Sequence, residues 1–153
     1  MNPQVDTELY DRDFCEWVRH NVDLLRRGCV HQADMEHIAE ELEALANSDE
    51  RVVNSRLIVL IMHLLKWKLQ PEGRYFESGK SSWLSTIIEQ RRRLAELLEY
   101  SPSLKPFAVR SLRRNYPIAV RRASAEAGIP IRQFPAECPF TFEQVLDYDY
   151  LPD

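Results

Sequence analysis

Residues 57–69 read LIVLIMHLLKWKL. Ten of these thirteen positions are apolar and they fall around most of a helical circumference, which is the pattern of a helix surrounded by other helices rather than of an amphipathic surface helix. Pro71 and Gly73 end it just beyond Gln70, and Asn47, Ser48 and Asp49 are expected to break the pattern ahead of it. The longest uninterrupted apolar run, Leu57 to Met62, is far short of the ~20 residues a membrane-crossing helix needs. A buried central helix sets the expectation for everything around it: an all-α bundle.

Working outward, Asp6 or Thr7 can cap a first helix in which Tyr10, Phe14, Trp17, Val18, Asn21, Leu24 and Leu25 recur at helical spacing. Arg26, Arg27 and Gly28 supply its stop, since cations suit a helix C-terminus and glycine the position past it. Asp34 can cap a second helix with an apolar line of Met35, Ile38, Leu42 and Leu45, and with Glu36, Glu40 and Glu43 pointing away as a solvated face. Beyond the loop PEGRYFESGKSS, a fourth helix starts at Ser81 or Ser82 and runs to Tyr100. Ser103 can cap a fifth through Gly128, with Pro117 expected to kink it or to split it into 104–115 and 117–127. Residues 129–153 carry four prolines and read as an irregular strap, with one short helix, Phe142 to Leu146, behind a Thr141/Gln144 capping box.

The bulk numbers fit one domain, residues 1–153: a single-domain helical bundle of about five to six main helices closed by the C-terminal strap. Only four glycines occur, against a usual share of ~7%, which disfavours turn-rich β architectures and leaves no glycine-cradled phosphate loop. With 44% hydrophobic and 29% charged residues and a mean hydropathy of −0.41, the composition is that of a soluble globular protein. The N-terminal MNPQVDTELY has neither a basic nor an apolar region, so no signal peptide is expected. Cys15, Cys29 and Cys138 are odd in number and far apart, which fits reduced thiols in a cytoplasm and gives no zinc spacing; no metal or cofactor is expected. His31 and His37 lack metal-ligand spacing with Cys29, and His20 sits on a helix flank.

Charge segregates along the chain. Residues 1–50 hold thirteen acids against four bases, residues 51–128 fifteen bases against six acids, and the tail one base against five acids. Such blocks either pair within one fold or present the basic part to an anionic partner. Arg110, Arg113, Arg114 and Arg121 share one face of the fifth helix, opposite Val109, Leu112, Tyr116, Ala119, Val120 and Ala123, and form a candidate anion-binding face without the aromatic interleaving of single-strand binders.

Several polar residues stand where apolar ones belong. Arg91 lies within about 60° of Leu84, Ile87, Leu94, Ala95 and Leu98 on a helical projection, so its guanidinium needs a partner, and Glu41 is the expected one. On the central helix Arg56, His63, Lys66 and Gln70 fall within an arc of about 80°. Glu41, His63, Lys66, Gln70 and Arg91 therefore form a candidate polar cluster inside the bundle. The leading reading is a buried network that fixes helix register in a non-enzymatic interaction or regulatory module, which meets a protein partner or a second copy and no membrane. The alternative is an enzyme or anionic-ligand-binding protein, with His63 as acid/base, Glu41 orienting it and Lys66 and Arg91 holding the anion. A further alternative is nucleic-acid binding through the arginine face with ribonuclease-like cleavage by Arg56 and His63.

The chain also resembles the bacterial family known as domain of unknown function twenty-nine. The resemblance rests on YDRDFCEW (10–17), EELE (40–43), HLLKWKLQPEGR (63–74), SWLSTIIEQR (82–91), SPSL (101–104) and FPAECPFTFEQVLD (134–147). It implies a small all-helical protein and brings no known activity, substrate or cofactor. The candidate cluster residues all lie within these segments, while His37, where the family pattern implies a small amide, and CVHQAD (29–34) depart from it. A slighter similarity, Arg56 and His63 at the spacing of helical higher-eukaryote-and-prokaryote nucleotide-binding ribonucleases, covers those two positions alone, and Leu57 replaces their usual polar neighbour.

Overall fold

The structure, a computed structural model, describes residues 7–153. These form six α-helices and no strand: α1 (Glu8–Arg12), α2 (Phe14–Arg26), α3 (Met35–Leu69), α4 (Ser82–Tyr100), α5 (Lys105–Ala127) and α6 (Phe142–Leu146), with short 3₁₀ turns between several of them. The chain makes two compact units, Met1–Ser48 and Asp49–Asp153.

In the first unit, the single opening helix that was expected is two. Asp13 leaves helical geometry at φ −151°, its N–H closing α1 on the Leu9 carbonyl (2.8 Å) and its carboxylate accepting the Glu16 N–H (3.0 Å) as the cap of α2. A short acidic side chain that bonds its own downstream backbone competes with helix continuation, and here it wins. Of the two expected caps, Thr7 makes no side-chain cap bond and Asp6 lies outside the described residues. The stop of α2 is as expected. Gly28 is left-handed at φ +72°, with Gly28 N–H on the Leu25 carbonyl (3.0 Å) and Cys29 N–H on the Leu24 carbonyl (2.8 Å), the paired bonds of a Schellman ending.

The expected break at Asn47, Ser48 and Asp49 does not occur, because α3 continues through all three. Each such residue costs only a few tenths of a kcal/mol in a helix, and no glycine or proline stands between 35 and 69 to do more. The second correction concerns the apolar line Met35, Ile38, Leu42 and Leu45, of which Ile38 is half-buried. Instead of facing a core, the other three side chains are exposed, Leu42 at 62% and Leu45 at 65%.

In the second unit the apolar stretch 57–65 of α3 forms the centre of the core. Leu57, Leu60, Ile61, Leu64 and Leu65 are fully buried, against Ile87 and Leu94 of α4, Ala108, Ala119 and Ala123 of α5, and Phe140, Phe142 and Val145 of the tail. Each fully buried leucine or isoleucine contributes about 1.5–3 kcal/mol by leaving water. Ser81 caps α4 by accepting the Leu84 N–H (3.1 Å). Gly73 owes its identity to close approach, since a Cβ there would overlap the Trp83 indole. Ser103 does not cap α5; it lies in the 3₁₀ turn Pro102–Leu104, and α5 opens at Lys105 without a side-chain cap. Nor does Pro117 split α5. It sits on the exposed face together with Arg113, whose carbonyl it deprives of a helical partner, so solvent can supply the missing bond. Gly128 ends α5 left-handed at φ +68°, and α6 is Phe142–Leu146 with both bonds of the Thr141/Gln144 capping box formed, as expected.

Candidate functional site

Arg91 occupies the apolar face of α4 and is completely buried. Its partners are main-chain oxygens, not a carboxylate: Nε donates to the Val145 carbonyl (2.8 Å), and Nη2 to those of Gln144 (3.2 Å) and Tyr150 (2.8 Å). Gln144 and Val145 lie in the last turn of α6, where carbonyls lack helical partners and the helix carries partial negative charge, so a guanidinium fits them well. Burial pulls the Arg91 pKa down, and Asp147 beside it pulls the other way. The expected partner, Glu41, belongs to the other unit, where it accepts the Tyr10 hydroxyl at 2.5 Å.

The polar stripe of α3 is distributed over two neighbours. Arg56 Nη1 donates to Gln90 of α4 (3.2 Å), whereas Lys66 Nζ pairs with Glu126 of α5 (2.9 Å) and lies 4.7 Å from the centre of the Trp83 ring. Gln70 Nε2 donates to the Ala127 carbonyl (3.4 Å) in the last turn of α5. His63 Nδ1 donates to the Val59 carbonyl of its own helix (2.8 Å), and desolvation lowers its pKa, with Lys66 adding to the effect and Glu126 opposing it. Of the five expected cluster residues, His63 and Lys66 thus share one neighbourhood with Glu126, while Arg91 and Gln70 are bonded to carbonyls elsewhere and Glu41 to Tyr10.

A denser polar constellation lies in the first unit, on residues the sequence reading treated singly. Asp34 caps α3, as expected, but it is also buried and central: Oδ2 accepts both Trp17 Nε1–H (3.0 Å) and His37 Nδ1–H (2.7 Å), Oδ1 accepts the His37 N–H (3.4 Å), and its own N–H donates to Asn21 Oδ1 (2.8 Å). Asn21 in turn donates to the Trp17 carbonyl (2.9 Å). The Tyr10 ring stacks on the His37 imidazole, 4.0 Å between centroids and 13° between planes. With its proton held by the Glu41 carboxylate, Tyr10 is pushed up to about 12. The bond to Asp34 raises the His37 pKa; burial alone would raise that of Asp34, but its bonds from His37 and Trp17 prevail and hold it low. The chemical outcome is an imidazole oriented by a carboxylate, a group able to take or give a proton at Nε2. The signal available in the sequence was spacing: Asp34, His37 and Glu41 stand three and four residues apart on one helix face.

The two histidines carry opposite linkage to pH. Because folding raises His37, its contribution is fully present below about pH 6.5 and is lost as pH rises through the folded value. Because folding lowers His63, its contribution is present above about pH 6.5 and is lost as pH falls towards the folded value. Thermal unfolding followed across pH 5 to 8 is expected to lose its alkaline slope in His37→Asn and its acid slope in His63→Gln; slopes of the same sign would overturn both attributions.

On α5, Arg110, Arg113, Arg114 and Arg121 are exposed and, among the described residues, have no ion-pair partner. Some exposed arginines elsewhere are paired, Arg27 with Asp23 (3.0 Å) and Arg92 and Arg93 with Glu89, while Arg26, Arg51, Arg122 and Arg132 are not. The cause is composition, since no acid precedes Glu126 in α5. Val109, expected on the buried side, is exposed at 44%, while Leu112, Tyr116, Ala119, Val120 and Ala123 are buried as expected. A groove of about 640 Å³ opens between α5 and the tail, lined among others by Leu112, Arg113, Tyr116, Cys138 and Phe140. None of the expected cluster residues lines it. Burial pushes the Cys138 thiol up, which keeps it protonated and unreactive.

Comparison with protein families places residues 9–151 in the family described as domain of unknown function DUF29. The chain belongs to this family. Arg91, the Lys66–Glu126 pair and the Asp34–His37–Tyr10–Glu41 constellation all fall inside the DUF29 span. No curated protein and no solved structure matches the chain. Among the described residues of this DUF29 protein, no helix is long and apolar enough to cross a membrane.

Proposed function

We propose that this protein is a non-enzymatic helical interaction module, the 153-residue chain acting as one domain. A single observation carries the reading: α3 holds Met35, Leu42 and Leu45 in one row, and the row is exposed. Large apolar side chains repeated at helical spacing on a solvent face are the mark of an interaction surface, whereas isolated ones need no explanation. The internal polar groups support it from the other direction. Arg91, through Nε and Nη2, and Gln70 hold main-chain oxygens and Lys66 holds Glu126, so these groups join helices to one another and to the tail, with Arg91 Nη1 buried and, among the described residues, unpartnered. The reading includes a reducing, cytoplasmic setting, for Cys15, Cys29 and Cys138 are all unbridged.

The test is site-specific photo-crosslinking in the native host. A photoreactive residue at Leu42 or Leu45 is expected to give a discrete protein adduct, and one at Tyr100, exposed at 86% on the Asp49–Asp153 unit, is expected to give none. Absence of adducts at both row positions, or equal adducts at Tyr100, would overturn the reading.

A further inference from the structure

We infer that the exposed face of α5 docks the phosphate backbone of a double-stranded nucleic acid, an activity that goes beyond the α3 row and does not depend on it. α5 exposes Lys105, Arg110, Arg113, Arg114, Arg121 and Arg122, and among the described residues none of them has an ion-pair partner. On a helical projection Arg110, Arg114 and Arg121 fall within about 40° of one another and Arg113 lies about 60° to one side, so the four make one stripe. Arg110 stands three and four residues from Arg113 and Arg114, the spacings at which like charges repel. α4 relieves the same crowding in place, where Glu89 holds Arg92 and Arg93 and Glu96 holds Arg92. In α5 the one acid, Glu126, projects about 140° from Arg121 and is taken by Lys66. Arg113 shares the groove lining with Glu137 and Glu143, so the charge most open to an outside anion is that of Arg110, Arg114 and Arg121.

The uncharged residues of this face decide the class of anion. Those exposed among the cations are Pro106, Val109, Pro117 and Ile118; none is aromatic, and they form no continuous apolar row, because the apolar side of α5 is buried in the core. An acidic protein segment would meet exposed ion pairs, which contribute little, and no apolar centre to anchor it. A lipid surface would meet no apolar row to take in, and a single strand no ring on which to stack its bases. A duplex backbone needs none of these, since cations that displace its condensed counterions bind it through the release of those ions, whatever the sequence. From Arg110 to Arg121 the helix covers about 17 Å, the axial reach of about five phosphates along one strand. The chain's net charge of −4 does not cancel the stripe, because at physiological salt exposed charges more than about 8 Å away are largely screened.

The full-length protein is titrated between 25 and 300 mM salt, by fluorescence anisotropy, with a labelled 20-base-pair DNA duplex of mixed sequence, the matching RNA duplex, the matching single strand and poly-glutamate of equal charge, and by co-sedimentation with phosphatidylserine vesicles. Binding of either duplex supports the assignment, and the ratio of the two says whether DNA or RNA is the better source of the backbone. The logarithm of the binding constant is expected to fall against that of salt with a slope of about −3 to −4, as three or four neutralised phosphates require. Arg110→Gln with Arg114→Gln and Arg121→Gln, all at exposed positions and checked by circular dichroism, is expected to lose at least tenfold in affinity at 50 mM salt and to flatten the slope to about −1. Arg92→Gln with Arg93→Gln removes cations that Glu89 already neutralises and is expected to bind within twofold of the unchanged protein. No duplex binding at 25 mM salt, a slope shallower than about −2, or a triple variant that binds like the unchanged protein would overturn the proposal. So would equal affinity for the single strand, poly-glutamate or the vesicles, which would assign the stripe to a different anion.

Discussion

Arg91→Ala is expected to destabilise the Asp49–Asp153 unit by about 3–5 kcal/mol, the usual cost of removing one side of a buried charged network. The guanidinium makes three bonds to the carbonyls of Gln144, Val145 and Tyr150, and charged donors to neutral acceptors are each worth about 1.5–3 kcal/mol in context. These do not simply add, because the tail can lift and expose its carbonyls to water once the donor is gone. That relief has its own cost: Phe142 and Val145, both buried in α6, would be uncovered with it. Arg91→Met fills most of the volume and separates the two contributions, since it restores packing and no donor; it is expected to recover at most a third of the loss. Arg91→Lys supplies charge without the planar fork, and three carbonyls in a fixed arrangement cannot all be met by one ammonium at the end of a shorter arm. Urea unfolding gives the size of the effect, and amide exchange gives its place, with protection at Phe142–Leu146 falling before that of α3. A loss below 1 kcal/mol, or exchange that rises uniformly over the unit, would remove Arg91 as the anchor of the tail.

Arg91 also shows where the sequence is readable and where it stops. Its position is legible because a helix projects side chains at a fixed angle per residue, and one charge among five apolar neighbours must be buried. Its partner is not legible in the same way, for every residue carries a carbonyl oxygen and no residue type announces that one is free. The expectation of Glu41 followed from looking for a charged side chain where a backbone oxygen sufficed. Local signals with their own stereochemistry held: the Thr141/Gln144 box, the Ser81 cap, and glycines 28 and 128 past their helices.

Signals that work by small penalties did not. Asn47, Ser48 and Asp49 weaken a helix too little to stop one that is already propagating, and Pro117 is tolerated because the bond it forfeits faces water. Conversely, Asp13 interrupts a run of good helical periodicity with a single carboxylate that caps the next helix. Periodicity also cannot say what covers an apolar row. Leu42 and Leu45 are spaced like core residues, and only the folded structure shows them at the surface.

Asp34→Ala is expected to cost the Met1–Ser48 unit about 2–4 kcal/mol, made of two losses. The N-cap of α3 accounts for about 1 kcal/mol, and stranding the buried Trp17 indole N–H for about 1–3 kcal/mol more. So short a segment has little packing with which to absorb the loss, and local opening of α1 and α2 is the expected consequence. Asp34→Asn distinguishes these roles, because its one amide oxygen, in the place of Oδ2, still accepts the indole proton while the cap at Oδ1 and the charge facing His37 are gone. It is expected to retain more than half of the stability, yet to return His37 from its raised value towards the ordinary imidazole range of about 6.5. Nuclear magnetic resonance reads both, through the Trp17 indole N–H signal and the His37 ring titration. If alanine and asparagine destabilised equally, the indole bond would not be what Asp34 contributes, and if His37 titrated unchanged in Asp34→Asn, the carboxylate would not be what raises it. Only the combination of retained fold and shifted titration assigns Asp34 both tasks: holding the start of α3 against Trp17, and fixing the proton on His37 Nδ1 so that Nε2 is the nitrogen left to accept one.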